Sequence, residues 1–367
     1  MHLSRNEALK ISERCSFWSG KRVLVTGHSG FKGKWLSRML KHFGATVGGV
    51  SSYPIYFSTN GLESIKVESK GWTDWEMIGD LADPEPLVKA ITGFSPSIIV
   101  HLAAQPIVSV GYLRPFETFR DNLLTSLNVL EFARVRREVE TVLIVTSDKV
   151  YENNNGPWAY RETDTLGGVD PYSCSKSMIE LMCKSYSESF FKPEKKLLAT
   201  ARAGNVIGGG DFGSNRLVPD LVRAYLSKAD MPVRLPEATR PWQYVLEPLN
   251  GYLTLIEKMH SLAKLDLSYN FGPLEANNAS VETLLLEFTK YFPVNIVHDC
   301  VSESTGKETR SLRLDTAKSR LDLGFRGYIS LTKAVERSSA IYSKILFDGL
   351  TVGTFDAEIK RYFADES

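Results

Sequence analysis

A short apolar run, Val23-Leu24-Val25, leads directly into Thr26-Gly27-His28-Ser29-Gly30-Phe31-Lys32-Gly33, and an amphipathic stretch follows to about Phe43. The spacing of its apolar residues predicts a helix ending at Gly44, and Thr46-Val47-Gly48-Gly49-Val50 reads as a second strand. Few folds admit this order. Glycines at the first turn of a strand–helix–strand unit let a phosphate approach the N–H groups at a helix N-terminus, where partial positive charge favours an anion. Gly27 and Gly30 permit the turn and the close approach, while Gly33 lets helix and strand pack tightly. The spacing is GxxGxxG, not the simpler GxGxxG, and its weight comes from lying between a strand and a helix. Gly27, Ser29, Gly30, Phe31, Lys32 and Gly33 are the candidate dinucleotide contacts.

The alternation continues. Ser97-Ile98-Ile99-Val100-His101-Leu102 predicts a buried strand that runs into Ala103-Ala104-Gln105-Pro106, where small residues leave room for a ligand. Leu102, Ala103, Ala104 and Gln105 therefore join the candidate cofactor contacts, and His101 reads as a satisfied core histidine. Thr118 to about Arg137 predicts a helix with Leu123, Leu127 and Leu130 on its apolar side, followed by strands at Thr141–Val145 and Leu197–Ala201. The pattern implies an α/β fold, a doubly wound (Rossmann) parallel sheet with ligands at the strand carboxyl ends. Residues 54–76, aromatic-rich with Tyr56, Phe57, Trp72 and Trp75, read as a long connection. Beyond about residue 206 the alternation breaks up into a smaller, mixed α/β C-terminal substrate-binding lobe. The expected organisation is a lead-in over 1–20 whose Trp18 packs down, a mainly dinucleotide-binding domain over 21–205, and a mainly substrate-binding lobe over 206–367. Some segments of that lobe return to the first domain.

The second strand ends at Val50-Ser51-Ser52-Tyr53, with no acid for a ribose hydroxyl and no arginine for a 2′-phosphate, so NAD and NADP are not distinguished there. Asp80 and Leu81, after a third strand, could lie near an adenine, or Asp80 could be a solvated loop residue; both readings stand. Lys plus Arg, 44, balances Asp plus Glu, 43, which argues against a nucleic-acid partner. Four cysteines without paired spacing argue against a metal and against a disulfide framework. The start of the chain has no apolar signal segment, and no apolar run reaches the roughly 20 residues that span a bilayer. A soluble, cytoplasmic protein with no membrane partner is expected.

The strand Thr141–Val145 ends in Thr146-Ser147-Asp148-Lys149, and a predicted helix opens with Tyr172-Ser173-Cys174-Ser175-Lys176. Tyr172 and Lys176, four apart, share a helix face. An ammonium beside a phenol favours the phenolate, so Lys176 is expected to lower the Tyr172 pKa, with Ser147 bonding the same substrate hydroxyl. Removing an alcohol proton while a nicotinamide accepts the hydride is the natural use of this trio. Tyr-x-x-x-Lys alone is weak, and it gains force from following both Ser147 and the glycine turn.

Taken together, these residues with His101-Leu102-Ala103-Ala104-Gln105-Pro106, Thr146–Asn153, Asp170-Pro171-Tyr172-Ser173, Arg202–Asp211 and Arg240-Pro241-Trp242-Gln243 resemble the extended short-chain dehydrogenase/reductase family. Within it the chain is similar to the nucleotide-sugar 4,6-dehydratases, from about Lys21 to Ala340. The resemblance implies bound NAD and a redox-neutral dehydration of a nucleotide hexose. Tyr172 would take the C4 hydroxyl proton, Lys149 the C5 proton, and a protonated Asp148 would release the C6 hydroxyl as water. Lys149, where dTDP-glucose enzymes look to carry Glu, points to the CDP-sugar branch and so to deoxysugar synthesis for surface polysaccharide such as lipopolysaccharide. An amine works as a base where desolvation or nearby positive charge disfavours its proton, and a solvated or structural Asp148–Lys149 ion pair is the alternative. The resemblance makes Arg240 the clamp for a substrate diphosphate, with Gln105, Asn205, Arg216 and Gln243 as further substrate contacts. It also implies a homodimer. Departures are Gly306-Lys307-Glu308 where the family has Pro-His-Glu, Gly111 where Ser is common, and Val150 where relatives often have Cys. Competing readings are a 4-epimerase or a dehydratase for another nucleotide sugar, and a non-catalytic NAD(H)-binding regulator. A 4-epimerase would leave Asp148 and Lys149 without a task, and a silent regulator has no need of Ser147, Tyr172 and Lys176 together.

Overall fold

The computed structural model describes residues 5–54, 65–262, 264–273, 278–298 and 311–365. Seven strands form one parallel sheet: β1 (Arg22–Thr26), β2 (Thr46–Ser51), β3 (Trp75–Ile78), β4 (Ile98–His101), β5 (Thr141–Val145), β6 (Leu197–Ala203) and β7 (Ser268–Phe271). Their spatial order is β3-β2-β1-β4-β5-β6-β7.

Alternation along each strand divides its side chains between two cores. Val23, Val25, Ile98, Val100, Leu143 and Val145 face one, and Leu24, Ile99, Val142 and Ile144 face the other. Burying a side chain of this size contributes about 1.5–3 kcal/mol, which is why the central strands read as continuous apolar runs. The first core is covered by α1 (Arg5–Trp18) and α2 (Phe31–His42), and the second by α3 (Pro84–Phe94), α4 (Pro115–Val135) and α5 (Pro171–Tyr186). Trp18 packs down as expected, fully buried, with its indole Nε1 donating to Glu257 Oε1 at 2.6 Å. Gly44, at φ +89°, directly follows the Phe43 cap of α2.

In the C-terminal part, α6 (Leu217–Ser227), α7 (Leu246–Ser261), α8 (Leu331–Asp348) and α9 (Val352–Asp365) accompany three two-stranded pairings. Val206–Ile207 pairs with Gln243–Tyr244, Thr239–Pro241 with Asn278–Ser280, and Met231–Val233 with Ile296–His298. α7, α8 and α9 add Leu249, Leu253, Val335, Ile345 and Phe355 to the first core.

Two sequence expectations need correction. Trp75 and Glu76 belong to β3 and not to the connection before it, because this edge strand buries only alternate residues in part and lacks a clear apolar run. Leu127, expected on the apolar side of its helix, is 36% exposed, while Leu130 is buried. Tyr56, Phe57, Cys300 and Gly306-Lys307-Glu308 lie outside the described residues.

Candidate active site

β1 is followed in sequence by its neighbour on one side, β2, and paired on the other with β4. The order reverses there, which opens a crevice at the strand carboxyl ends. The glycine turn fills the floor of that crevice. Gly27 has φ +73°, and a Cβ on it would lie 2.8 Å from Ala103 N; a Cβ on Gly33 would lie 2.1 Å from Gly27 O. No residue with a side chain replaces either without moving backbone. Gly30 caps α2 with no side-chain bond, leaving the first-turn N–H groups to a ligand, and the buried Ser29 Oγ beside them has no partner. This cradle fits the pyrophosphate of a dinucleotide.

Where β2 lacks an acid, β3 supplies one. Glu76 Oε1 lies 2.7 Å from His28 Nε2, and His28 Nδ1 lies 2.9 Å from Ser51 Oγ. The bond from His28 holds the Glu76 carboxyl below its ordinary pKa, against the opposing effect of burial. Asp80 is exposed and its Oδ1 accepts the Ala82 N–H at 3.0 Å, while Leu81 is buried in the second core. Leu102 and Ala103 hang from Thr26 by bonds to its O and Oγ1, and Ala104 follows, partly buried. The Gln105 amide is committed to its loop, donating to Thr118 Oγ1 at 2.9 Å and accepting from Ile107 N at 2.5 Å.

Ser147, Asp148 and Lys149 turn off the end of β5. Ser147 Oγ donates to Asp148 Oδ1 at 3.0 Å and accepts the Lys149 N–H at 3.2 Å. Lys149 Nζ lies 3.5 Å from Asp148 Oδ1, so the ion pair anticipated as the alternative does form. Asp170 caps α5, accepting from the Ser173 N–H at 3.0 Å, and this sets Tyr172 in the first turn.

The expected lowering of the Tyr172 pKa by Lys176 is not what the geometry gives. Burial pushes the phenol up to about 12, with Asp148 adding to the rise, while Ser147 and Arg216 oppose it. Lys176 Nζ instead donates to Val145 O at 3.3 Å. Burial brings the Lys176 pKa down to about 8, and the carboxylate of Glu180, one turn on, opposes that fall. Glu180 is held by Arg202 at 2.8 Å and by Thr146 and Thr200, all buried. His101 is the core histidine expected, bonded to Thr26 Oγ1 at 2.7 Å and Ser126 Oγ at 3.1 Å, with burial and then Lys176 lowering its pKa to about 3.

Lys32 reaches further than its place in the glycine turn implied. Its Nζ donates to Tyr252 Oη on α7 at 3.3 Å, and burial followed by Arg216 lowers its pKa to about 8, with Asp148 opposing. Tyr252 had no local signal in the sequence, because only the fold brings α7 to α2. Arg216, at the start of α6, pairs with Asp211 at 2.9 Å. Arg240 is buried on the Thr239–Pro241 strand, its Nη1 donating to Thr239 O at 3.0 Å. The Asn205 carbonyl accepts the Gln243 N–H at 3.0 Å. Asp148 Oδ2, Asn205 Oδ1 and Gln243 Oε1 are all buried acceptors without partners, and a Cβ on Gly204 would sit 3.3 Å from that Asp148 oxygen. Buried acceptors left open in this way suit a ligand rich in hydroxyl donors.

The sequence profile of the NAD dependent epimerase/dehydratase family matches residues 23–272, and the chain belongs to that family. Within it the chain is 37% identical to the CDP-glucose 4,6-dehydratase of Salmonella typhimurium over 332 residues, 88% of this chain and 90% of the other. Among solved structures, an epimerase from Methanothermobacter thermautotrophicus superposes with a TM-score of 0.77 at 20% identity, covering 96% of this chain and 97% of that one. A Bacillus anthracis dTDP-glucose 4,6-dehydratase in complex with NAD gives 0.70 at 17% identity, covering 89% and 97%. At those identities the two structures bear on the fold alone.

Proposed function

We propose that this protein is a CDP-glucose 4,6-dehydratase, converting CDP-D-glucose to CDP-4-dehydro-6-deoxy-D-glucose and water. The observation that carries this reading is the pairing of two chemistries at one strand end. Ser147, Tyr172 and Lys176 serve alcohol oxidation, and Asp148 with Lys149 serves elimination. The 37% identity to the Salmonella enzyme over most of both chains supports the choice of nucleotide.

The Gly27–Gly33 cradle, Ser29, Lys32 and the β4 end would hold NAD, whose nicotinamide would supply reversible hydride exchange with the sugar. Tyr172 as phenolate removes the C4 hydroxyl proton, Ser147 holds that oxygen, and Lys176 orients the cofactor ribose and adds positive charge. The C4 ketone acidifies C5. Lys149 takes the C5 proton, Asp148 protonates the departing C6 hydroxyl, and Lys149 returns its proton to C5. Arg216 and Arg240 bind the diphosphate, and Asn205 and Gln243 present acceptors to the hexose or nucleoside. Gln105, its amide held by the loop, shapes the wall behind them.

The same reading places the enzyme in the cytoplasm, in deoxysugar supply for surface polysaccharide such as lipopolysaccharide, as a homodimer joined through α4 and α5. Among the described residues, no helix is long and apolar enough to cross a membrane. The test is to incubate the purified protein with CDP-, dTDP-, UDP- and GDP-hexoses and follow loss of one water by mass spectrometry. Loss from CDP-glucose in preference to the others is expected. No product with any of them, with NAD shown to be bound, refutes the reading.

A further inference from the structure

Oxidation at C4 and elimination across C5 and C6 act on neighbouring carbons of one hexose, so the groups that perform them must keep a fixed spacing. A displacement of about 1 Å can cost a reaction about 10²-fold. The two sets stand on different elements: Tyr172 and Lys176 on α5, and Ser147, Asp148 and Lys149 on the turn that leaves β5. Ser147 Oγ bonds Asp148 Oδ1 and the Lys149 N–H within that turn. These bonds shape the turn but do not fix it against the helix.

What fixes it lies on its flanks. On the near side, the Thr146 N–H donates to Ala201 O at 2.9 Å, continuing the sheet, while Thr146 Oγ1 donates to Glu180 Oε1 of α5 at 2.5 Å. On the far side, Ser177 Oγ of α5 lies 2.8 Å from Val150 O and 3.0 Å from Ser173 O, and it accepts the Gly168 N–H at 3.2 Å. The Gly167 N–H also reaches Val150 O, at 2.9 Å. At about 100° per residue, Tyr172, Lys176, Ser177 and Glu180 fall within about 140° of one another around the helix axis. One side of α5 thus carries the oxidising pair and both grips on the eliminating turn.

The Glu180 carboxylate divides its oxygens between two tasks. Oε2 accepts from Arg202 at 2.8 Å, Thr200 at 2.8 Å and Ser268 at 3.1 Å, which ties α5 to β6 and β7. Among the described residues, Thr146 is the one donor to Oε1. Glu180 and Arg202 are both buried, and a buried ion pair is a poor source of stability, since apolar side chains of the same volume often do as well. Its directed bonds give position instead. We propose that Glu180 and Ser177 are positioning residues that hold the Ser147–Asp148–Lys149 turn from both ends, at the distance from Tyr172 that lets elimination follow oxidation before the 4-keto hexose leaves. This inference rests on the dehydratase reading, and it assigns neither residue a contact with substrate.

Loosening the turn should separate the two chemistries. C4 oxidation moves a hydride to the nicotinamide and a proton to Tyr172, so a 4-keto hexose that leaves at that stage strands the nicotinamide in its reduced form. Replacing Glu180 itself would strand Arg202 in the core, so the bond is better cut from its other end. Thr146→Val removes the hydroxyl and keeps the shape, and Ser177→Ala removes the second grip. In NAD-loaded protein mixed with CDP-glucose, absorbance reads oxidation and mass spectrometry reads water loss. Both variants should oxidise C4 within about threefold of the wild-type rate and keep KM within about twofold, while water loss falls about 10–100-fold. Reduced nicotinamide should accumulate, and a nucleotide 4-keto hexose that has kept its water should be released. Thr146→Ser, which keeps the donor, should restore the wild-type ratio of water loss to oxidation. Hydrogen exchange of the NAD-loaded protein gives a reading without turnover: residues 146–151 should exchange faster in both variants, with the rest of β5 and α5 unchanged. Oxidation and water loss that fall together or do not fall, or exchange at 146–151 that matches the wild type in both variants, overturn the clamp while wild-type water loss still supports the dehydratase. No water loss by the wild type from any nucleotide hexose, with NAD bound, sinks both.

Discussion

Lys149 and Asp148 are neighbours in sequence with unequal access to solvent: the lysine side chain is 30% exposed and the aspartate 2%. An amine half open to the substrate pocket can collect a proton from C5 and hand it back, while a sealed carboxyl is better suited to delivering one. Lys149→Ala should therefore oxidise C4 but stall before elimination. Water loss should fall by about 10²–10⁴-fold while reduced nicotinamide accumulates, a combination read by mass spectrometry and absorbance on one sample. Wild-type water loss from this variant would remove Lys149 from the reaction. His101 makes a prediction about stability. Its folded pKa of about 3 lies below the ordinary histidine value of 6.5, so as pH falls through that window the unfolded chain gains a proton that the folded chain does not. Stability contributed by neutral His101 is fully present above about 6.5 and declines toward about 3. His101→Asn should flatten the fall of the melting temperature across that window, and an unchanged slope would assign acid sensitivity elsewhere. At this scale residue types were legible and their fields were not. Sequence spacing put Lys176 beside Tyr172, but only the fold shows that Val145 O takes the lysine Nζ and that Ser147 and Arg216 are the groups favouring the phenolate.

The packing of α2 against the turn before it depends on hydrogen standing where other residues carry carbon. Gly33 admits no Cβ, because the atom would sit 2.1 Å from Gly27 O and 2.7 Å from His28 Cα, both backbone. Gly33→Ala should cost about 1–3 kcal/mol from overpacking and displace the turn from the pyrophosphate position. Urea unfolding should show the loss of stability, and calorimetry a weaker NAD affinity. Gly20→Ala serves as the control, since nothing lies within 4 Å of the added carbon and only the strain of φ +76° is introduced. Equal behaviour of the two variants would mean that contact at Gly33 is not what matters. The first strand–helix–strand unit was readable because its signals are local: an apolar run, a glycine turn and a helical period. β3 was blurred because an edge strand with alternate, partial burial resembles a connection. The pairings Val206–Ile207 with Gln243–Tyr244 and Thr239–Pro241 with Asn278–Ser280 are two or three residues long, too short for any period to declare itself.

Across the whole molecule, the site is assembled from segments whose partners are far apart in the chain, and no pattern in the sequence links them. Lys32 meets Tyr252 and Arg202 meets Glu180 because the sheet order brings α7 over α2, and β6 under α5. The same order leaves α4 and α5 packed side by side with their outer faces open. Ile179 and Cys183 of α5 turn inward to the second core, while Met178 and Leu181 turn outward, alongside Leu124 and Leu127 of α4. The apolar residues of the Tyr172 helix therefore divide into core and surface sets, which their spacing in the sequence alone does not separate. Two helices that each present apolar residues at three-residue intervals can bury them against a second copy of themselves, and a stable interface of that kind covers about 800 Å² per partner. Leu181 is 56% exposed, so Leu181→Arg leaves the folded subunit intact while placing like charges face to face at a twofold contact. Light scattering after size exclusion should give a dimer for the wild type and a monomer for the variant, with the melting temperature of the variant falling at low protein concentration. Because Tyr172 and Lys176 stand on the same helix, loss of the partner should also lower the rate of C4 oxidation. A monomeric wild type, or a variant that remains dimeric, would show that α4 and α5 are not the interface.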